Sequence, residues 1–292
     1  MGLLRYETSN KMKIDYMSDI HLEFGQHRKL LPNVSGGDIL ILAGDITTAA
    51  MFRSNRTDKD ARSHSGYMKK FKEDVIDKYD RVFYIMGNHE HYNSIFHKTL
   101  PELKKGFANY GMDKIEFFDN DCKIIDDILF IGCTLWSDFE NGNDLSMYRC
   151  GRGMNDFHII GSVDVEDLNY FNKYKTRTIT PEFILDEHKK SKEYIQRTIR
   201  SHPDKKVVVF THHGPTYKSL NSDHIGNGLD GAYCSDLSDF ILNTPSIKYW
   251  VSGHCHIIKE YDVGQCKVLS NSQGYYLEPV YSKFTGPKSF EV

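Results

Sequence analysis

No stretch of this chain approaches the ~18–20 consecutive apolar residues that a helix needs to cross a bilayer. The opening segment, MGLLRYETSNKMK, carries too short an apolar run for a secretory signal. Tyr6 stands where a myristoylation motif begun at Gly2 needs Ser or Thr. Cysteine is sparse for 292 residues: Cys122, Cys133, Cys150, Cys234, Cys255 and Cys266 form no C-x-x-C pair. That usage fits free thiols in a reducing cytoplasm and argues against a disulfide framework. A surplus of charge is also missing. Lys+Arg of 37 against Asp+Glu of 40 leaves −3 with histidine neutral, which removes any net-charge argument for wholesale binding to nucleic acid or anionic membrane, though not for a local basic patch. Repeats, low-complexity tracts and a clear linker are absent. Residues 1–11 read as an extension with little fold content, and 12–292 as a single domain. What the chain does have is histidine, 14 of them, and their positions decide whether they matter.

Short, nearly continuous apolar runs mark the expected strands: Met12–Met17, Asp38–Ala43, Arg81–Met86, Ile128–Leu135, Lys206–Thr211 and Ile247–Ser252. Runs of this kind suit strands covered on both faces. Helical patterning lies between several of them, at Tyr67–Tyr79 and most clearly at Pro181–Arg200. In the latter, Thr180 can cap, Pro181 fits the first turn, and Ile184, Leu185, His188, Ile195 and Ile199 fall near one face. Strands alternating with helices indicate an α/β domain. Tyr261–Tyr276 reads as a hairpin about a Gly. Two polar stretches interrupt the pattern, Met51–Gly66 and a longer one at about 137–180. The second is too long for a structureless loop, so it is expected to be a cap-like insertion with structure of its own.

Nearly every expected strand ends in metal-competent residues. Ser18-Asp19-Ile20-His21 follows the first, Gly44-Asp45 the second and Gly87-Asn88-His89-Glu90 the third. Thr211-His212-His213-Gly214-Pro215 and Gly253-His254-Cys255-His256 follow two of the later ones. Sites in α/β sheets form outside the carboxyl ends of the strands, so these residues can converge although they span positions 19 to 256. Each motif alone has an ordinary explanation: a Gly-Asp turn, an Asn tolerating a left-handed backbone, a core histidine. Together and in this order they do not.

The order D-x-H, G-D, G-N-H-E, H and G-H-x-H resembles that of the calcineurin-like metallophosphoesterases, over roughly Met12 to Tyr276. LEFG, LAGDI, THHGP, TLWSDF, MNDFHII and NSQGYY agree with the resemblance. It implies an α/β fold of four layers, a β-sandwich of two mixed sheets flanked by helices, with a binuclear metal site at one edge. Carried over to this chain, it assigns one metal to Asp19, His21 and His256, the other to Asn88, His212 and His254, and both to Asp45. Two divalent ions are therefore expected. Mixed carboxylate, imidazole and amide donors suit borderline ions such as Mn²⁺, Fe or Zn²⁺, whereas Ca²⁺ or Mg²⁺ prefer all-oxygen cages; Mn²⁺ is the expected ion, with Fe, Zn²⁺ or Ni²⁺ as further candidates. The implied activity is hydrolysis of a phosphate ester by a hydroxide bridging the metals, with His89 assisting the leaving oxygen. Family members often read G-D-x-x-D, the second Asp supporting this histidine. Here that position is Thr48, which leaves the group that orients His89 unassigned.

His213, Arg53 and Arg149 are the candidate substrate contacts, with Arg56 and Arg62 near Arg53. Tyr148, Arg152, Asn155, Asp156 and His158 of the insertion are further residues that could face the pocket. The expected partner is a phosphate-ester small molecule or nucleotide. A phosphodiesterase or nuclease acting on cyclic nucleotides or nucleic acid would use the same site, but no basic aromatic groove in the sequence favours nucleic acid. A non-catalytic scaffold on this fold is a further alternative, set against the presence of suitable residues at all seven ligand positions. A two-metal peptidase or amidase fits the metal logic, but the Asn ligand between Asp45 and the late histidines favours the phosphoesterase.

Overall fold

Along the expected strands, successive buried side chains enter different cores. In the computed structural model, which describes residues 11–27, 34–53, 59–162, 177–223 and 225–292, β1 (Lys13–Met17), β2 (Gly37–Ala43) and β3 (Tyr79–Ile85) run parallel and adjacent. Ile14, Tyr16, Ile39, Ile41, Phe83 and Ile85 enter one core. Met17, Leu40, Leu42, Val82 and Tyr84 enter another, as the two-residue period of a strand requires. With β4 (Ile115–Phe118) beside β3 and β11 (Lys288–Glu291) antiparallel to β1, they form a five-stranded sheet in the order β11-β1-β2-β3-β4.

The second sheet holds β5 (Asp121–Ile125), β6 (Ile128–Cys133), β7 (Lys206–Thr211), β8 (Ile247–Ser252), β9 (Ile258–Val263) and β10 (Cys266–Asn271), in the order β5-β6-β7-β8-β10-β9. Its outer pairs are antiparallel and its inner pairs parallel. Phe130, Val208, Phe210 and Val251 point toward the first sheet and share its inner core. Phe83 stacks on Phe210 across that layer at 6.1 Å, and each such buried side chain contributes about 1.5–3 kcal/mol.

Helices close the outer faces. α1 (Lys59–Asp74) and α2 (Thr99–Asn109) cover the first sheet with Met68, Phe71, Leu103 and Phe107. α3 (Asp144–Gly153) belongs to the insertion, and α4 (Pro181–Ser201) covers the second sheet with Ile195 and Ile199. The architecture is thus two mixed sheets between helical layers, as the resemblance implied.

Some expectations need adjustment. The helix expected at Tyr67–Tyr79 begins earlier, at Lys59, and stops at Asp74, because Tyr79 pairs with Gly37 and opens β3. The polar stretch at 51–66 therefore holds the first turns of that helix. Thr180 caps α4 as expected, its Oγ1 accepting from Phe183 N at 3.3 Å. The described part of the insertion has its own apolar cluster, including Met147, Cys150, Met154, Phe157 and Ile160. Arg56 lies outside the described residues, as does the side chain of Arg62. No helix among the described residues is long and apolar enough to cross a membrane.

Candidate metal centre

The carboxyl ends of β1, β2, β3, β7 and β8 meet at one edge of the sandwich, and backbone bonds tie the loops that leave them. Asp19 N donates to Gly44 O at 3.0 Å, His21 N to Asp45 O at 2.9 Å and Gly253 N to His212 O at 2.9 Å. The Asp45 carboxylate accepts from His89 N at 2.9 Å. That of Asp19 accepts from His254 N at 3.1 Å. Beneath them the buried carboxyl of Glu90 accepts from the backbone N–H groups of Asp45, Ile46 and Gly87 and from Tyr84 OH, at 2.6–2.9 Å. Burial and the neighbouring Asp45 push its pKa up to about 7.

This convergence demands unusual backbone. Asp19, His21, Asp45, His254 and His256 all have positive φ, of 55°, 51°, 55°, 64° and 47°, a left-handed conformation that costs a non-glycine residue on the order of 1 kcal/mol or more. Gly87 is required for a different reason: a Cβ there would stand 2.2 Å from Asp45 Oδ1 and 2.7 Å from the His212 ring.

The seven expected ligands come together in two groups. Donor atoms of Asp19, His21 and His256 lie within 4.8 Å of one another, as do those of Asp45, His212 and His254. Asn88 Oδ1 joins the second group, 3.1 Å from His212 Nε2. The orientation of the amide is fixed from behind, since Asn88 Nδ2 donates to Asp156 Oδ1 at 2.9 Å and to Tyr92 OH at 3.1 Å.

The hydrogen-bond inventory of these side chains fits cations. His21 Nδ1 faces Glu23 at 3.0 Å, His256 Nδ1 faces Glu278 at 2.6 Å and His212 Nδ1 faces the Ala43 carbonyl at 2.9 Å. All three partners accept, so each Nδ1 carries a hydrogen, and each ring when neutral turns an Nε2 lone pair inward. There His21 Nε2 and His256 Nε2 stand 3.3 Å apart, and His212 Nε2 faces Asp45 Oδ2 at 3.3 Å. His254 Nε2 is buried without any partner. Acceptors facing acceptors in a buried site require positive charge between them.

Protons supply part of that charge in the metal-free chain. Burial opposes protonation of His256 and His212, yet Asp19 and Glu278 lift His256 to about 10 and Asp45 lifts His212 to about 9. Burial holds His21 down at about 4 and His254 at about 3. Burial would raise Asp45 and Asp19, but the charges of His212 and His256 keep both well below the usual carboxylate range.

His89 stands at the rim of the same site. Its Nδ1 faces Glu23 Oε1 at 3.1 Å, its Nε2 faces Tyr275 OH at 2.9 Å, and its ring stacks on Tyr92 at 4.1 Å. Glu23, not residue 48, is thus the carboxylate that meets His89. Burial lowers the His89 pKa and the charges of Asp45 and Glu23 more than restore it, for a net rise. Sequence reasoning assigned no part to Glu23, Tyr275 or Glu278. The first two lie in the LEFG and NSQGYY segments already noted, which was the available signal.

A cavity of about 320 Å³ opens over the site, lined in part by Asn88, His89, Asn155, Asn227, Tyr233 and Tyr275. Of the candidate substrate contacts, the structure brings none to its wall. His213 is buried behind it, against the rings of Trp136 and His254. The Arg53 guanidinium is held by Asn93 O, Ser94 Oγ and Glu102 at 2.9–3.3 Å. Arg149 is exposed on α3 and packs near Gly228. In the insertion, Asn155 lines the cavity and Asp156 anchors Asn88, whereas Tyr148 and Arg152 pack on each other outside and His158 Nε2 meets Arg152 O. Cys255 directs its thiol to the Tyr233 carbonyl.

Residues 12–257 match the family described as calcineurin-like phosphoesterase. The protein called "Uncharacterized protein L509" from Acanthamoeba polyphaga mimivirus is 30% identical over 294 aligned positions, covering 89% of this chain and 90% of its own. Among solved structures, phosphopantetheinyl hydrolase (PptH) of Mycobacterium tuberculosis superposes with a TM-score of 0.52 at 14% identity, covering 96% of both chains. A dimetal phosphatase from Danio rerio gives 0.46 at 11% identity, covering 92% of this chain and 90% of its own.

Proposed function

The chain belongs to the calcineurin-like phosphoesterase family, and from that premise we propose that it hydrolyses a phosphate ester at the edge of its two sheets, with two divalent ions bound. Asp19, His21 and His256 would hold one, Asn88, His212 and His254 the other, and Asp45 both. The observation that carries this reading is the set of inward-facing acceptors, above all His21 Nε2 and His256 Nε2 at 3.3 Å and the partnerless His254 Nε2. When bound, such ions supply Lewis-acid charge at the phosphoryl group and make water more acidic. Mn²⁺ is the first candidate, with Fe, Zn²⁺ or Ni²⁺ behind it.

The chain's own residues do the rest. Glu23 keeps His89 Nδ1 protonated and fixes the ring plane. That leaves Nε2, at the Tyr275 hydroxyl, to hand a proton to the departing oxygen, work suited to imidazole. The cavity wall combines amides and aromatic rings with Met154, Leu229, Cys255 and Glu278, and no Lys or Arg is among its described residues. The wall suits a compact organic ester, a nucleotide included, and gives a nucleic-acid strand no basic track. All six cysteines are free thiols, in keeping with a cytoplasmic setting.

A hydrolysis panel tests the reading: p-nitrophenyl phosphate, bis-p-nitrophenyl phosphate, cyclic nucleotides and single-stranded DNA, each with Mn²⁺, Ni²⁺, Zn²⁺ and chelator. Metal-dependent release from a monoester or a small diester is expected. Silence across the panel with both metals bound would favour the non-catalytic scaffold.

A further inference from the structure

A second and larger cavity, of about 580 Å³, lies behind the loop that carries Asn88 and His89. It is separate from the metal centre and shares no lining residue with the first cavity. Its size is that of an ordinary small-molecule site. Phe96, Trp136 and Phe183 form its apolar wall, with Phe96 edge-on to Phe183 at 4.8 Å. His91 lines it and stacks flat on Phe96 at 4.4 Å.

Beside the donor-bearing His97, Ser162 and Ser191, its lining offers several acceptors, and those of His91 and Asn120 lack hydrogen-bond partners. His91 is 1% exposed, and neither of its ring nitrogens has a hydrogen-bond partner. A neutral imidazole there offers one lone pair and one N–H. Asn120 Oδ1 is buried and also without a partner. Leaving such groups unmet costs about 1–3 kcal/mol each. The carboxylates of Asp119 and Glu187 also line the cavity. Asp119 is an exposed residue, yet the protein packed around its carboxyl and the nearby Glu187 raise its pKa, and Lys104 offsets this only in part. Glu187 Oε1 meets the exposed Lys190 at 2.5 Å. Thr134 has its hydroxyl hydrogen committed to Met86 O at 2.9 Å, so it presents only lone pairs.

We propose that this cavity binds a small organic cation, an amine or guanidinium on an apolar or planar body. Asp119 and Glu187 meet its charge, His91 and Asn120 accept its N–H groups, and the aromatic wall takes its body, where ring faces also attract cations. The proposal does not depend on the phosphoesterase reading. The cavity backs directly onto the metal-site loop, since His91 N donates to Asn88 O at 3.1 Å.

The test is calorimetric titration of the full-length, metal-loaded protein with phenethylamine and agmatine, with 2-phenylethanol as the uncharged counterpart of the first. Saturable binding of one cation per chain is expected, with the alcohol about tenfold weaker or worse, the factor that ~1.4 kcal/mol carries. Asp119→Asn and Glu187→Gln, both on accessible parts of the lining, should each weaken the cation by a comparable factor. Ring ¹⁵N resonances of His91 should shift on titration, and inorganic phosphate should not displace the cation. The proposal is overturned if neither cation binds at millimolar concentration, if both variants bind at full strength, or if phosphate competes and so places the cation at the metal centre.

Discussion

One carboxylate oxygen, Glu23 Oε1, accepts from His21 Nδ1 at 3.0 Å and from His89 Nδ1 at 3.1 Å. A proposed metal ligand and the proposed leaving-group acid therefore share a single anchor. The other oxygen, Oε2, is buried without a partner, and the charges of His21 and His89 hold the carboxyl down at about 2 against the opposing effect of burial. Substituting Glu23→Gln should lower kcat about 10- to 100-fold at saturating metal, the usual cost of losing such an outer support. The loss should be steeper for alkyl phosphates than for p-nitrophenyl phosphate, because only a poor leaving group needs the proton. An equal loss on both would show that Glu23 serves His21 alone.

His89→Ala should leave metal content intact, since its Nε2 faces Tyr275, even though His89 stands edge-on to His21 at 4.4 Å and groups with His21 and Glu23 in a third cluster of metal-competent side chains. Its kcat should fall about 10²- to 10⁴-fold, the range for removing a general acid. Metal analysis beside steady-state kinetics checks both halves. Metal loss in this variant would make His89 a ligand.

Asp45→Asn should cost the paired metal centre. Asp45 Oδ2 is the carboxylate oxygen facing both His212 Nε2, at 3.3 Å, and His21 Nε2, at 3.9 Å. Elemental analysis is expected to find fewer than two metals per chain with turnover near background. Two tightly held metals and normal rates would end the shared-ligand assignment.

Metal removal should leave a distinctive pH dependence. In the metal-free chain His212 and His256 are raised to about 9 and about 10, above the ordinary ~6.5 of histidine. Their stabilisation is full below ~6.5 and is lost as pH rises through 9 to 10. His21 and His254, lowered to about 4 and about 3, act the other way, and stability is lost as pH falls below ~6.5. Thermal melts of chelator-treated protein should therefore show these four imidazoles producing a maximum near ~6.5. Metals must displace the protons on His212 and His256, so metal affinity should climb between neutrality and pH ~9 with proton release. Titrations in buffers of different ionisation enthalpy read that release directly. No proton release would contradict ligation through these rings.

Gly87→Ala should disable the centre with every proposed ligand left unsubstituted. The added methyl would stand 2.2 Å from Asp45 Oδ1 and 2.7 Å from the His212 ring. A fall in metal affinity with a melting temperature below that of the parent is expected in calorimetry. An unchanged metal stoichiometry and melt would mean the loop yields more than its packing suggests.

The strands, and the metal-competent residues after them, were legible because those residues follow runs of apolar residues, a signal local to the chain; which of them are expected to ligate came only with the family resemblance. Lys206–Thr211 and Ile247–Ser252 match the expected strands to the residue. Separation into two sheets was not readable from those runs, because strands buried on both faces hide the alternation of Phe83 and Tyr84 between different cores; that feature came only with the family resemblance. β4 and β5 escaped notice for the opposite reason. They are short, and β5, at a sheet edge, has a mostly exposed or half-exposed pattern. Glu23, Glu278 and Tyr275 were unassigned because their roles depend on contacts made in three dimensions, as between Tyr275 and His89. Arg53 was singled out because charge suggests phosphate, whereas its guanidinium is held by Asn93, Ser94 and Glu102.

The left-handed backbone at Asp19, His21, Asp45, His254 and His256 sets a condition on transplantation. Copying the seven side chains onto a relaxed host scaffold would place the right atoms on the wrong vectors, because here the turns aim the proposed ligands. A designer moving this centre would have to move the strand-end loops whole, together with Gly87 and the carboxyl of Glu90 that clamps them. Conversely, the same rigidity makes the centre a portable unit: any pair of sheets able to present these five loop ends at one edge could carry it, whatever insertion covers the mouth.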